Sequence, residues 1–226
     1  MNSLRVFIGY DPREAVAYHV CVNSLIRTAS RPLAIMPLAL DTLRGVYRER
    51  HSDGSNAFIY SRFLVPYLCE FKGPALYLDG DMVVTDDIAK LFDLAEPHKD
   101  VMVVKHDYQT KSAKKYLGNV NEDYPRKNWS SVMLFPNCSH FPVQKLMPEF
   151  IAKQTGAFLH RFEWTSSERI GALPREWNWL VDEYPHNDEA KLLHFTLGIP
   201  AFAEYKNCDH ADKWWYEFHH TVELEG

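Results

Sequence analysis

The stretch Pro74-Ala-Leu-Tyr-Leu-Asp-Gly-Asp-Met-Val-Val84 decides the fold. It reads as a short apolar strand that ends at two aspartates separated by one glycine, followed by a second apolar run. Side chains at i and i+2 of an extended segment point to the same side, so Asp79 and Asp81 can converge on one hard cation such as Mg²⁺ or Mn²⁺. Gly80 lets a ligand approach the backbone closely. The alternative is a surface turn with two solvated aspartates.

Outward from this stretch, strand-like and helix-like patterns alternate along the chain. We predict strands at residues 5–9, 33–40, 74–78, 82–84, 101–104, 131–135 and 191–195. We predict helices at residues 13–28, 56–69, 88–92 and 144–153, the first of them capped by Asp11 ahead of Pro12. Pro66 is a position at which the second helix could kink or end. This alternation indicates an α/β fold with a mixed, mostly parallel central sheet, and the absence of a linker-like segment predicts a single domain over residues 1–226.

Composition limits the classes of partner. The chain has 226 residues, of which 46% are hydrophobic, so it can bury a sizeable core. The net charge of −5 argues against nucleic acid or an anionic membrane as the main partner. Apolar runs are too short for a transmembrane segment, and we expect no signal peptide. The four cysteines lie far apart with no metal-binding spacing, which predicts reduced thiols in a cytoplasmic protein.

Ligands of open α/β sheets bind at the carboxyl ends of the strands. The first positions to consider are therefore those just after Gly9, Leu78, Val104 and Phe195. Asp107 lies shortly after one of these strands and is a candidate for orienting a substrate, although a turn residue is the plainer interpretation. His194 interrupts an apolar strand, where an imidazole needs a partner. It is either a metal ligand or a hydrogen-bonded core residue.

Several segments together resemble the metal-dependent GT-A glycosyltransferases of family 8, which include the glycogenin and lipopolysaccharide-galactosyltransferase types. The matching segments occur in the family's order: Val6-Phe-Ile-Gly-Tyr-Asp11, Tyr60-Ser-Arg-Phe63, Tyr77-Leu-Asp-Gly-Asp-Met-Val-Val84, Ser130-Ser-Val-Met-Leu-Phe135, Leu173-Pro-Arg-Glu-Trp-Asn178 and Leu193-His-Phe-Thr-Leu-Gly198. Only the D-x-D and L-P-x-x-W-N segments are specific by themselves. Six matches in the right order carry more weight than any one of them.

The resemblance implies a Rossmann-like GT-A domain that transfers a hexose from a nucleotide-sugar, most often a UDP-sugar, to a glycan or small-molecule acceptor with retention of configuration. It implies Mn²⁺ or Mg²⁺ as cofactor, held by Asp79, Asp81 and His194. The donor-binding residues that it implies are Gly9, Tyr10, Asp11, Arg62, Asp79, Gly80 and Ser131. Residues 1–105 would form the nucleotide-binding half, and residues 106–226 would complete the metal site and bind the acceptor.

The sequence departs from the family pattern at three places. No lysine follows His194 in Ile199-Pro-Ala-Phe202, where the family has one that contacts the diphosphate; Lys206 or an arginine is the candidate substitute. Trp129 stands where the family has an asparagine. The family's Asp-Gln pair before L-P-x-x-W-N is also missing. The polar candidates in that region are Glu163, Ser166 and Glu168, so the catalytic candidates are Asp107, Glu163 and Glu168.

Two other functions fit parts of the sequence. The segment 79–84 also resembles the first motif of haloacid-dehalogenase-type phosphatases, with Asp79 as nucleophile and Asp81 as acid/base, although that motif normally follows the first strand of the domain. The missing lysine and Asp-Gln pair leave open a non-catalytic module that binds a sugar nucleotide or a glycan. The aromatic tail around Trp214 is either a lid over the site or an oligomer contact, for example in a homodimer. Residues 177–179 are interpreted as a packed corner.

Overall fold

The computed structural model describes residues 3–52, 54, 56–111, 114, 115, 118, 121 and 123–222. Its strands are β1 (Leu4–Gly9), β2 (Leu33–Leu38), β3 (Ala75–Leu78), β4 (Met82–Val84), β5 (Val101–Val104), β6 (Val132–Phe135), β7 (Ile170–Leu173), β8 (Trp179–Leu180) and β9 (Leu192–His194). Its α-helices are α1 (Ala15–Thr28), α2 (Val65–Leu68), α3 (Ile88–Asp93), α4 (Phe141–Gln144), α5 (Pro148–Ile151), α6 (Gly156–His160) and α7 (Ala211–Val222). The predicted α/β class and mixed sheet are confirmed.

The central sheet has six strands in the order β2-β1-β3-β6-β5-β7. Strand β1 pairs in parallel with β2 and β3, and β5 pairs in parallel with β7. Strand β6 runs antiparallel to both of its neighbours, β3 and β5, so β3, β5 and β7 all point the same way. Their carboxyl ends therefore share one edge of the sheet. Asp79 follows β3 at that edge.

Helix α1 forms where its periodicity predicts it. Asp11 caps the preceding 3-10 turn, Pro12–Glu14, by accepting a hydrogen bond from the backbone N–H of Arg13 at 2.9 Å. The helix then buries the side chains that recur at three- and four-residue spacing: Ala17, Val20, Cys21, Ser24 and Leu25. This face packs against the sheet. The cap and helix position the loop that follows β1.

Two predicted helices are wrong as continuous elements. Residues 56–69 form turns, a 3-10 helix (Ser61–Leu64) and the single turn α2. Pro66 is the second residue of α2, a position where its missing N–H is tolerated. Residues 144–153 contain the last residue of the single turn α4 and the whole of the single turn α5. Met147 between them is extended, with ψ of 151°, because Pro148 disfavours helical backbone in the residue before it.

A second, three-stranded sheet lies beside the first, in the order β4-β9-β8. Its register places Met82 opposite His194, so the strand after the two aspartates is directly paired to the strand that carries the histidine. Helix α7 packs on α1, with Trp214 fully buried, and the described residues of α7 do not line the pocket at the aspartates. The lid interpretation of the tail is therefore wrong. Among the described residues, none of the helices is both long enough and apolar enough to span a bilayer.

Replacing Leu25 with alanine is expected to lower the free energy of unfolding by about 2–5 kcal/mol, because Leu25 is fully buried and the substitution leaves a cavity between α1 and the sheet. The adjacent Ile26 is 62% exposed, so Ile26→Ala is the matched control. It should change the free energy of unfolding by less than about 0.5 kcal/mol. Urea unfolding measures both. Equal losses in the two variants would contradict the packing described here.

Candidate active site

Three ligand-type side chains meet at the edge where β3 ends. Asp79 and Asp81 follow β3, and His194 reaches them from β9. The histidine Nε2 lies 3.4 Å from Asp81 Oδ1 and 3.9 Å from Asp79 Oδ2. One ligand atom from each of the three residues lies within 4.8 Å of the other two. The sequence interpretation that extended spacing would bring the aspartates to one side agrees with this arrangement.

Asn178 fixes the orientation of the histidine ring. Its Oδ1 lies 3.0 Å from His194 Nδ1, so Nδ1–H donates and Nε2 presents its lone pair to the aspartates. The Asn178 amide in turn donates to the Ser131 hydroxyl at 2.8 Å. An outer partner of this kind commonly sets the tautomer of a metal-binding histidine. The interpretation of residues 177–179 as a packed corner therefore missed the role of Asn178.

Arg62 and Tyr77 hold Asp79 from the other side. Arg62 is buried; its Nη1 lies 2.9 Å from Asp79 Oδ1, and the Tyr77 hydroxyl donates to the same oxygen at 2.6 Å. Burial raises the pKa of Asp79, the nearby Asp81 raises it further, and Arg62 opposes the rise. Burial lowers the pKa of Arg62, but Asp79 and the other acidic groups nearby together more than compensate, so the pKa is raised and the guanidinium stays charged.

The cluster has the free donor atoms that a divalent cation needs. Asp81 Oδ1 is buried and has no hydrogen-bond partner, and His194 Nε2 faces it without an intervening donor. Two carboxylates and a neutral imidazole suit Mn²⁺ or Mg²⁺, with positions left for water and phosphate oxygens. Asp79, Asp81 and His194 therefore fit the metal that the resemblance implies.

The loop after β1 contacts the same corner through backbone. A Cβ on Gly80 would collide with the carbonyl oxygen of Gly9, and a Cβ on Gly9 would lie 2.6 Å from the Phe58 ring. Gly80 is therefore required because its backbone approaches that of Gly9 closely, and Gly9 is required because it lies against the Phe58 ring. The Asp11 carboxylate accepts from the N–H of Arg13 and of Ala57, which joins the loop to the segment before Arg62.

The pocket around the aspartates brings together three of the predicted donor residues. Arg62, Asp79 and Ser131 line it, whereas Tyr10 packs edge-on against Tyr18 at 5.5 Å between ring centroids. The pocket is also lined by residues that the sequence did not single out: Asn56, Ile59, Lys115, Tyr124, Asn128, Ser130, His160 and Thr196. Burial lowers the pKa of Lys115, and the charges of Asp81 and Asp79 offset part of that effect. Lys206, the substitute considered from sequence, is exposed and does not line the pocket.

The three catalytic candidates lie away from this pocket. Glu168 lies two residues before β7, and its carbonyl accepts from Lys99 Nζ at 2.9 Å, at the amino-terminal edge of β7. Strand β7 has four residues, so this edge is about 13 Å from the edge that carries Asp79. Glu163 and Asp107 are exposed and do not line the pocket. Neutral His160, whose pKa burial lowers to about 3, lines it instead, with Nδ1 2.6 Å from the Ser130 hydroxyl.

The mixed sheet is that of the GT-A glycosyltransferases, and the similar solved structures agree. The apo structure of the bifunctional glycosyltransferase WbbM has a TM-score of 0.66 at 16% identity, covering 97% of this chain and 50% of that one. GlyE of Streptococcus pneumoniae TIGR4 has a TM-score of 0.61 at 14% identity, covering 99% and 61%. The galactosyltransferase LgtC, in complex with donor and acceptor sugar analogs, has a TM-score of 0.60 at 11% identity, covering 98% of both chains. These likenesses show the fold.

The chain belongs to glycosyltransferase family 8. The profile of "Glycosyl transferase family 8" matches residues 47–199, and Protein CDI of Arabidopsis thaliana is 44% identical over 218 residues, covering 93% of this chain and 84% of that protein. The family resemblance found in the sequence is thereby confirmed, and the protein is a glycosyltransferase enzyme. The phosphatase and the non-catalytic module are set aside. The chain spans about half of WbbM and 61% of GlyE.

Proposed function

We propose that the protein transfers a hexose from a nucleotide-sugar, a UDP-sugar in the first instance, to a glycan or small-molecule acceptor with retention of configuration. The observation that carries this proposal is the buried Asp79, Asp81 and His194 cluster at the mouth of a pocket in a family 8 chain. These three residues would hold Mn²⁺ or Mg²⁺. A bound divalent ion supplies neutralisation of the charge that develops on a departing diphosphate.

The chain's own residues would bind and orient the donor around that ion. Arg62 is buried and already paired to Asp79, so its main task is to fix that carboxylate at the pocket wall. Lys115 supplies a cation that faces the same pocket and takes the place of the lysine missing after His194. The backbone of Gly9 and Gly80 would border the diphosphate, and the Tyr10 and Asp11 loop would lie beside the base.

The groups that line the pocket bear on how the retention implied by the family resemblance would be achieved. Among the described residues, no carboxylate besides Asp79 and Asp81 lines it, so a covalent nucleophile is not provided there. We therefore favour attack on the face from which the diphosphate leaves, with a phosphate oxygen taking the acceptor's proton. His160 is neutral at pH 7, since burial lowers its pKa to about 3, and would donate or accept a hydrogen bond to a sugar hydroxyl.

The two halves expected from the sequence would divide this work within one domain. Residues 1–105 would contribute the aspartates and the loop after β1, and residues 106–226 would contribute Ser131 and His194. Strand β6 of the second half lies between β3 and β5 of the first, so the halves share one sheet. The described cysteines are all free thiols, which supports a cytoplasmic location.

A thermal-shift screen tests the proposal. The full chain would be heated with a panel of nucleotide-sugars, each with Mn²⁺ and with EDTA. At a hundredfold excess over Kd, a bound donor adds about 2.7 kcal/mol, which for a chain of this size raises Tm by about 5–10 °C. We expect that rise only when donor and Mn²⁺ are both present. If no nucleotide-sugar at millimolar concentration shifts Tm, the proposal is wrong.

Replacing Asn178 with alanine is expected to weaken Mn²⁺ binding by about 10–100-fold, because His194 loses the hydrogen bond that presents Nε2 to the aspartates. Titration calorimetry with Mn²⁺ measures the change. Asn137→Ala is the matched control, since Asn137 Oδ1 accepts only from the nearby Ser139. Unchanged Mn²⁺ affinity in Asn178→Ala would show that Asn178 does not orient the histidine.

A further inference from the structure

A second group of metal-ligand side chains lies outside the active-site pocket. His186 and Asp188 stand in the loop between β8 and β9, and His210 directly precedes helix α7. One ligand atom from each lies within 4.8 Å of the other two. Asp209 adjoins them. None of these four residues lines the pocket at Asp79.

Each ring nitrogen of His186 lies close to a carboxylate. His186 Nδ1 is 2.6 Å from Asp209 Oδ1, so Nδ1–H donates to the carboxylate and Nε2 is left as a lone pair. That Nε2 lies 3.3 Å from Asp188 Oδ1. Two ligands bound at 2.0–2.1 Å in a tetrahedron are separated by about 3.3 Å, so these two atoms are spaced like two ligands of one Zn²⁺ ion.

His210 supplies an independent indication of a ligand. Its residue is 4% exposed, yet its Nε2 is buried with no hydrogen-bond partner. The ring stacks on that of His186 with centroids 4.5 Å apart, and Asp209 Oδ2 lies 3.4 Å from Nε2. A buried ring nitrogen without a partner is unfavourable, and a bound cation would satisfy it.

We propose that His186, Asp188 and His210 bind one Zn²⁺ ion, with Asp209 as the carboxylate that orients His186. Two imidazoles and a carboxylate suit zinc better than magnesium or calcium, which prefer oxygen ligands. Lys213 is a positive group near the site, with Nζ 3.8 Å from Asp188 Oδ1. The alternative is a metal-free network in which protonated His186 pairs with both aspartates.

The bound ion would act structurally. It would tie the loop that leads into β9, the strand of His194, to the start of α7. Helix α7 in turn contacts α1, where Asn23 Nδ2 donates to Glu217 at 2.7 Å. The zinc would therefore hold the carboxy-terminal helix against the element that follows the β1 loop. This inference is independent of the proposed reaction, because it concerns metal content and stability.

Metal analysis of the full chain tests the proposal. Wild type, His186→Gln and Asp188→Asn would be stripped with chelator, reloaded with Zn²⁺, desalted and assayed by plasma mass spectrometry. We expect each variant to retain one equivalent of zinc fewer than wild type. His186 and Asp188 are exposed, so both variants should fold. Zinc should raise Tm in wild type, and this rise should be smaller in the variants.

His98→Gln is the matched control, because His98 is another exposed histidine paired with a carboxylate, and it should keep the wild-type stoichiometry. Any zinc bound at Asp79 and Asp81 should be the same in wild type and in the variants, so it does not affect the difference in zinc content. Loss of donor binding in the nucleotide-sugar screen would leave this result unaffected. Equal zinc content in wild type and both variants would overturn the proposal in favour of the metal-free network.

Discussion

Asp81→Asn is expected to abolish donor hydrolysis, lowering the rate by on the order of 10³-fold, or about 4 kcal/mol of barrier. Asp81 Oδ1 is a buried carboxylate oxygen with no hydrogen-bond partner, and it faces His194 Nε2 at 3.4 Å. The amide keeps the shape of the side chain but removes the negative charge from this position. The measurement is release of free sugar from a UDP-sugar in the presence of Mn²⁺, followed by chromatography.

Asp86→Asn controls for loss of one negative charge at a nearby position. Asp86 follows β4, pairs with Lys90 at 2.6 Å and lies outside the pocket, so hydrolysis should stay within twofold of wild type. If Asp81 acts by holding the ion, raising the Mn²⁺ concentration should recover part of the lost rate. Asp81→Asn with wild-type hydrolysis would contradict a metal role for this residue. Loss without any recovery at high Mn²⁺ would point instead to contact between Asp81 and the sugar.

The sequence could predict the elements whose signals are local. Strand β3 and its two aspartates are contiguous, and α1 shows its buried face through three- and four-residue spacing. The third metal-ligand candidate, His194, is indicated because it interrupts an apolar strand. The helix predicted over residues 144–153 is interrupted because Pro148 holds Met147 in an extended conformation, although the apolar spacing continues through this point.

The rest of the site could not be predicted because it depends on contacts between distant segments. Nothing around Asn178 shows that its amide will face His194, since that contact requires β8 to pair with β9. His160 closes the single turn α6 and has no local pattern that marks it as a pocket residue. Glu168 was chosen for its chemistry, but chain direction places it at the opposite edge of the sheet. The metal-ligand set of Asp79, Asp81 and His194 came from the resemblance to family 8, because residue spacing alone did not define it.

Lys115→Ala is expected to lower kcat/KM for the nucleotide-sugar by about 10²-fold, because it removes the cation that would face the diphosphate. The family's lysine after the histidine is absent here, and Lys115 is the lysine that lines the pocket among the described residues. Burial lowers its pKa, and the negative charges of Asp81 and Asp79 offset part of that effect, so the amine interacts with both carboxylates. Steady-state donor hydrolysis at saturating Mn²⁺ measures the effect.

Lys114→Ala is the matched control, since Lys114 is the exposed neighbour and should leave kcat/KM within twofold of wild type. Lys115→Arg keeps a positive charge and should recover part of the loss, which a purely structural role would not predict. A phosphate contact also implies that the loss extends to the affinity for the free nucleoside diphosphate. If Lys115→Ala binds that product as tightly as wild type, the lysine does not replace the missing residue, and the charge that stabilises the leaving group must come from Arg62 and the ion at Asp79 and Asp81.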